Sequence, residues 1–314
     1  MARPGVLAIT TGLAALVLRD ALAFGQSPPV VTFKSGVDLV RVTAVVRDHK
    51  GRFVTDLSAR DFEVLDGTTR RPILEFRHDS EGLSLALLFD VSGSMEGRLT
   101  DAREAANHVL SWLDGVRDEA AIFSFDTQLD ELLPFTRGLK TLPPSMSKVT
   151  AFGATSLHDA IARTAERAGG HDGRRRAVVV LTDGHDNASR LRPSEASALA
   201  SAIDVPVYIF GIVASIDNPA EDVAVTPAVR SSLVGALDDL AAATGGRTFI
   251  SSGPGQRSLA ARRMVDELRH QYFIAFESSK TPGWHALVVR MREKDLNVRA
   301  RNGYIVGQYR PNAF

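Results

Sequence analysis

The chain has 314 residues, with 37 Lys and Arg against 37 Asp and Glu, a formal net charge of zero, 44% hydrophobic residues and no cysteine. That length and apolar content suit one large or two modest folded domains and exclude global disorder. The charge balance gives no overall field for nucleic acid or an anionic membrane. Without cysteine there are no disulfides, thiolate metal sites, lipid-attachment cysteine or Cys nucleophile, so the domains must be held by their own cores.

Residues 1–23 read as a signal peptide. Arg3 supplies the positive charge, residues 5–18 (GVLAITTGLAALVL) the apolar stretch, and Ala21-Leu22-Ala23 a small-x-small cleavage pattern. The stretch falls short of the roughly 20 apolar residues that a membrane-spanning helix needs. An uncleaved N-terminal anchor is the alternative. An exported protein, periplasmic or secreted, with no span in the mature chain is therefore expected. Gln26-Ser27-Pro28-Pro29 then reads as a linker.

Residues 24–82 form a β-rich region. Strands are predicted over 37–46, 62–65 and 73–76, with turn signals at Asp48-His49-Lys50-Gly51 and Asp66-Gly67. The pattern changes over 83–270. Apolar runs at 83–89, 119–125, 176–181, 205–213 and 247–251 alternate with helical periodicity at 99–113, 156–168, 195–203, 231–244 and 259–270. Such alternation predicts the α/β class, a doubly wound and mostly parallel sheet covered on both faces. The basic run Arg174-Arg175-Arg176 reads as a solvated strand entry. Residues 271–314 are again β-rich, with strands at 272–276, 286–291 and 296–306. The strands at the two ends are expected to form one β-sandwich into which the α/β domain is inserted, against the alternative of two independent β-elements.

Three segments carry the chemistry. Asp90-Val91-Ser92-Gly93-Ser94 follows the first buried strand, where α/β sheets place their ligands. Its spacing lets three oxygen side chains turn toward one point, and Gly93 permits a tight backbone path. Thr155 lies just before a helix, and Asp183 just past a buried strand. Each segment has a plain reading by itself: a turn at Asp90–Ser94, a helix N-cap at Thr155 or Ser156, a turn at Asp183-Gly184. Together they offer two carboxylates and three hydroxyls. An all-oxygen set suits Mg²⁺, with Mn²⁺ or Ca²⁺ as alternatives, and not zinc or copper. An open coordination position can then accept a carboxylate from a protein partner.

The segments Phe89–Met95, Gly153–Ala160 and Leu181–Asn187 resemble the three signature segments of von Willebrand factor A domains, and the resemblance spans about 83–272. It implies that Asp90, Ser92, Ser94, Thr155 and Asp183 form a metal-ion-dependent adhesion site. In family members the serines and the threonine ligate directly or nearly so, and one or both aspartates act through water. The flanks, with Gly51–Leu57, Asp61–Val64, Glu267–Tyr272 and Val298–Tyr304, resemble bacterial von Willebrand factor A-related proteins of the acidobacterial type.

The expectation is a metal-dependent protein-binding or adhesion module and not an enzyme. An envelope scaffold in which the metal is incidental is the alternative. A metal-dependent hydrolase is a third reading, but the sequence offers no second metal site and no clear general base. Ser94 is one place early for a G-x-S-x-G elbow, and phosphate-loop and H-E-x-x-H motifs are absent. His158, His185, Asp186 and Asp126 lie near the site in sequence, each more simply a surface, rim or turn residue.

Overall fold

The computed structural model describes residues 38–78, 82–171, 175–213 and 235–307. The expected signal peptide, the linker at 26–29 and residues 231–234 of the predicted helix 231–244 lie outside the described residues. The chain opens with β1 (Leu39–Asp48), β2 (Phe62–Asp66), β3 (Thr69–Arg71) and β4 (Ile73–Arg77). The alternating part follows: β5 (Leu83–Asp90), α1 (Leu99–Ser111), β6 (Glu119–Phe125), β7 (Leu129–Arg137), α2 (Leu157–Gly169), β8 (Arg175–Thr182), α3 (Pro193–Ala202), β9 (Val207–Ile212), α4 (Gly235–Ala243), β10 (Thr248–Ser251) and α5 (Pro254–Arg269). It closes with β11 (Gln271–Glu277), β12 (Gly283–Met291), β13 (Leu296–Ala300) and β14 (Gly303–Val306).

The central sheet has six strands in the order β10-β9-β8-β5-β6-β7. All its pairings are parallel except β6 with β7. Every residue of β5 is buried, as expected of a strand covered on both faces. Its side chains alternate between two cores: Leu83, Leu85, Leu87 and Phe89 pack with α1 and α5, and Ala86 and Leu88 with α2, α3 and α4. The fold is the doubly wound α/β class that the alternation predicted. β7 had no predicted counterpart. It is an edge strand, mostly half-buried or exposed, and carries Pro134, which a sheet tolerates at an edge. Among the described residues no helix is long and apolar enough to cross a membrane.

The flanking strands form two four-stranded sheets, β13-β1-β11-β4 and β14-β12-β2-β3. Each combines strands from before β5 with strands from after α5, so the two ends are not independent elements. One core lies between the sheets, including Val42, Phe62, Val64, Tyr272, Ile274 and Leu287. Ring contacts bridge it, Phe62 with Tyr272 at 5.3 Å and Phe276 with Tyr304 at 5.7 Å.

The predicted strand over 296–306 is instead two strands in different sheets, broken at Arg301-Asn302. The turn-forming pair Asn302-Gly303 allows the break, and the buried Arg301 side chain anchors it. The arginine donates to the carbonyls of Ser201, after which α3 has one residue left, and Arg41 on β1, and lies 3.6 Å from the Asp204 carboxylate. The chain can pass this close because Gly245, at φ +83°, has no side chain where the Arg301 backbone approaches.

Glu267 ties the sandwich to the α/β part a second time. Fully buried on α5, it receives Arg299 from β13 and Arg47 from β1. Burial alone would push this carboxyl up, but the guanidiniums of Arg299, Arg47 and Arg247 hold it below the ordinary glutamate value. Its stabilisation is therefore present above the ordinary glutamate pKa and is lost as the pH falls through the lower folded value. Glu267→Ala removes the carboxylate that the half-buried Arg47 and Arg299 share and should cost about 3 kcal/mol, the low end for breaking a buried pair, in urea unfolding at neutral pH. The deficit of Glu267→Gln relative to wild type should shrink as the pH falls below the carboxylate range.

Candidate metal centre at the carboxyl edge of the sheet

The order of the sheet creates the site. From β5 the chain crosses through α1 to β6 on one side, then returns through α2 to β8 on the other. The crevice between the carboxyl ends of β5 and β8 is thus a topological switch point, the usual ligand position in such sheets. The parallel register sets Phe89 opposite Leu181, which brings Asp90 beside Thr182.

Asp90 is fully buried. Its Oδ1 accepts from the Ser92 backbone N–H at 3.0 Å and from Ser92 Oγ at 2.6 Å, and its Oδ2 from Thr182 Oγ1 at 2.6 Å. Burial pushes the Asp90 carboxyl up to about 6 and the charge of Asp183 adds to the rise, against the pull of the Ser92 and Thr182 hydrogen bonds. A carboxylate so placed is stabilised by a nearby cation.

The hydroxyls continue the chain of contacts. Ser92 Oγ lies 3.2 Å from Ser94 Oγ, and Ser94 Oγ donates to Asp183 Oδ1 at 3.3 Å. Four of the five expected residues are thereby in one continuous hydrogen-bonded set. Thr155 is not a member of that hydrogen-bonded set; the backbone of the loop before it is what lies against the set. Phe152 N–H donates to the Val91 carbonyl at 2.8 Å, and Gly93 N–H to the Gly153 carbonyl at 3.0 Å. These bonds seat the 152–155 loop against the Asp90–Ser94 loop. Asn187 fixes Thr155 from the other side: its Oδ1 accepts from Thr155 N–H at 2.8 Å, and its own N–H donates to the Thr155 carbonyl at 3.1 Å. Two glycines make the seating possible. A Cβ on Gly93 would stand 3.3 Å from the Gly153 carbonyl oxygen, and Gly153 itself adopts φ +86°.

Residues that the sequence did not single out complete the site. Arg98, at the start of α1, donates through Nη1 to the Ser94 carbonyl at 2.8 Å and to Asp183 Oδ2 at 3.2 Å. Its only sequence signal is a position four residues after Ser94. Thr182 and Asn187 stand inside the third signature segment, but their roles depend on pairing and loop closure that spacing does not reveal. Of the flanking candidates, His185 touches the site, with Nδ1 3.1 Å from Asp183 Oδ1. His158 is paired with Asp186 at 2.9 Å, and burial lowers its pKa despite that neighbour. Asp186 also accepts from the Ser189 hydroxyl at 2.5 Å, so the pair braces the start of α2. Asp126 accepts from the Gln128 backbone at 2.8 Å and packs against Gly153, which supports the 152–155 loop.

Among the described residues no three His, Cys, Asp or Glu side chains converge on one point. A metal at this edge would depend on hydroxyls with two carboxylates, a hard oxygen set. The donors fit such an ion on two counts: the raised Asp90 carboxyl, and the guanidinium already drawn to Asp183.

Residues 85–185 match the model of the von Willebrand factor type A domain. No curated protein matches the chain. Among solved structures, an aerotolerance-related membrane protein from Bacteroides fragilis is similar at 20% identity over 60% of this chain and 98% of that one, with a TM-score of 0.45. A von Willebrand factor type A protein from Catenulispora acidiphila is similar at 14% identity over 87% and 76%, with a TM-score of 0.46. Proximal thread matrix protein 1 from the mussel byssus, with a zinc-occupied MIDAS motif, is similar at 16% identity over 65% and 50%, with a TM-score of 0.47. The matched residues include Asp90, Ser92, Ser94, Thr155 and Asp183, and the segment 85–185 carries a von Willebrand factor type A domain.

Proposed function

We propose that the protein is an exported binding module that engages an acidic residue of a protein partner through a divalent cation, with Mg²⁺ the first choice. Asp90, Ser92, Ser94, Thr155 and Asp183 would hold the ion, which supplies an electrophilic position for the partner's carboxylate. The observation that carries this reading is the continuous hydrogen-bonded run Asp90–Ser92–Ser94–Asp183 at the switch point. Export is supported by the leader-like residues 1–23 of the sequence. Ser92 and Thr182 hold Asp90; Ser94, His185 and Arg98 hold Asp183.

One observation favours a second contact surface on the sandwich, as an envelope scaffold would require. Trp284 and Val288 are exposed on β12. Trp284 pairs with Ile305 of β14 and Val288 with Leu65 of β2, so these four residues share one outward face.

Calorimetry with Mg²⁺ tests the site. The wild type should bind the ion and gain thermal stability from it, because a ligand that binds the folded state alone stabilises it. Asp90→Ala should do neither, and equal Mg²⁺ affinity in the two proteins would sink the assignment. Arg98 competes with the cation for Asp183. Arg98→Ala should therefore tighten Mg²⁺ binding about fivefold, corresponding to the ~1 kcal/mol at the upper end for a solvent-accessible ion pair. To separate the two surfaces, native envelope partners should be captured with and without chelator. Loss on chelation supports the metal face, whereas loss only in Trp284→Glu supports the sandwich face.

A further inference from the structure

The rim of the site carries a side chain that neither metal binding nor packing uses. Phe152 is 79% exposed, yet it stands in the loop that delivers Thr155. Its ring faces solvent, while its backbone is fixed by the 2.8 Å bond from its N–H to the Val91 carbonyl and by the Gly153 carbonyl that accepts from Gly93. On a held backbone, an aromatic side chain has only its two side-chain torsions left to fix when a partner covers it. Gly153, at φ +86°, lets the chain carry an outward-facing Phe152 three residues before the buried Thr155. Two basic side chains border the same edge. Arg98 reaches Asp183 from one loop, and His185, with its side chain 53% exposed, from another.

We infer that Phe152 is the apolar anchor of the partner-binding face, and that its occupant is an extended segment of another protein in which an Asp or Glu is flanked by a bulky apolar side chain. This rests on the metal-bridged reading above. The carboxylate meets the cation and the basic rim, while the apolar neighbour covers the Phe152 ring. Each contact supplies what the other lacks. The cation selects an acid but does not distinguish one acidic segment from another. The exposed ring adds area but no orientation. Buried aromatic anchors at the centre of an interface account for much of its affinity, and here the anchor sits beside the charge that fixes the register.

The test pans the full chain against a random peptide library displayed on phage, in Mg²⁺, with elution by chelator. Eluted clones should be enriched in Asp or Glu next to Leu, Ile, Phe or Trp. A synthetic peptide of the consensus should bind the wild type in fluorescence anisotropy. Phe152→Ala should weaken it by at least about tenfold, Phe152→Trp should retain it, and Mg²⁺ affinity by calorimetry should be unchanged in both. Acidic clones without apolar neighbours, or a Phe152→Ala protein that binds the consensus like wild type, overturn the anchor and leave the metal-bridged reading standing. Mg²⁺ binding without any chelator-eluted clone also overturns the anchor. Absence of Mg²⁺ binding in the wild type overturns the metal-bridged reading itself, and the anchor with it.

Discussion

The buried carboxylate of Asp90, held at the end of a strand that has no solvent on either face, is the constraint around which the site is organised. An acid there needs hydrogen bonds or a counter-charge. The parallel register of β5 with β8 supplies one bond from Thr182, and the turn after β5 supplies two from Ser92. The turn that satisfies Asp90 also places Ser94 within reach of Asp183. The local need to satisfy one buried acid therefore assembles most of the proposed cation-binding set, and the two acids together leave an excess of negative charge that Arg98 partly meets.

The same logic of buried charge links the α/β part to the sandwich. Glu267 and Arg301 are each buried at that junction: Glu267, on α5, accepts from Arg47 and Arg299 of the sandwich, and Arg301 donates to the carbonyls of Ser201 on α3 and Arg41 on β1. Glu267 lies on α5, which packs beside α1 on one face of the sheet, and α1 begins directly after Arg98. The junction and the site thus share one helical layer. Breaking a buried pair of this kind is expensive because the remaining partner keeps its desolvation penalty. That makes the junction a specific connection and not merely an apolar contact.

Much of this was legible in the residues. Buried parallel strands are continuous apolar runs, and 83–89 and 176–181 could be read directly. The stripe Leu157, Ala160, Ile161, Ala165 and Ala168 announced α2, and all five side chains are buried. The three oxygen-bearing segments could be placed at strand ends because chain order fixes where each apolar run stops. β7 escaped because an edge strand with Asp130, Glu131 and Pro134 has little apolar period to detect. The break at Arg301-Asn302 has a local signal in the turn dipeptide Asn302-Gly303, but the β-type residues on either side masked it, and the interior hydrogen bonds of Arg301 are visible only in the fold.

The sequence by itself determined the α/β alternation, the identity of the five oxygen-bearing residues and the absence of cysteine ligands, since each depends on local composition and order. The tertiary structure decided which of those residues meet. Asp90 reaches Thr182 through strand register, and Thr155 is held by Asn187, 32 residues away in sequence. The counter-ion role of Arg98 and the outward position of Phe152 were likewise decided only there. An arginine or a phenylalanine carries no local signal of its partner, because the contact depends on how separate loops close around one crevice.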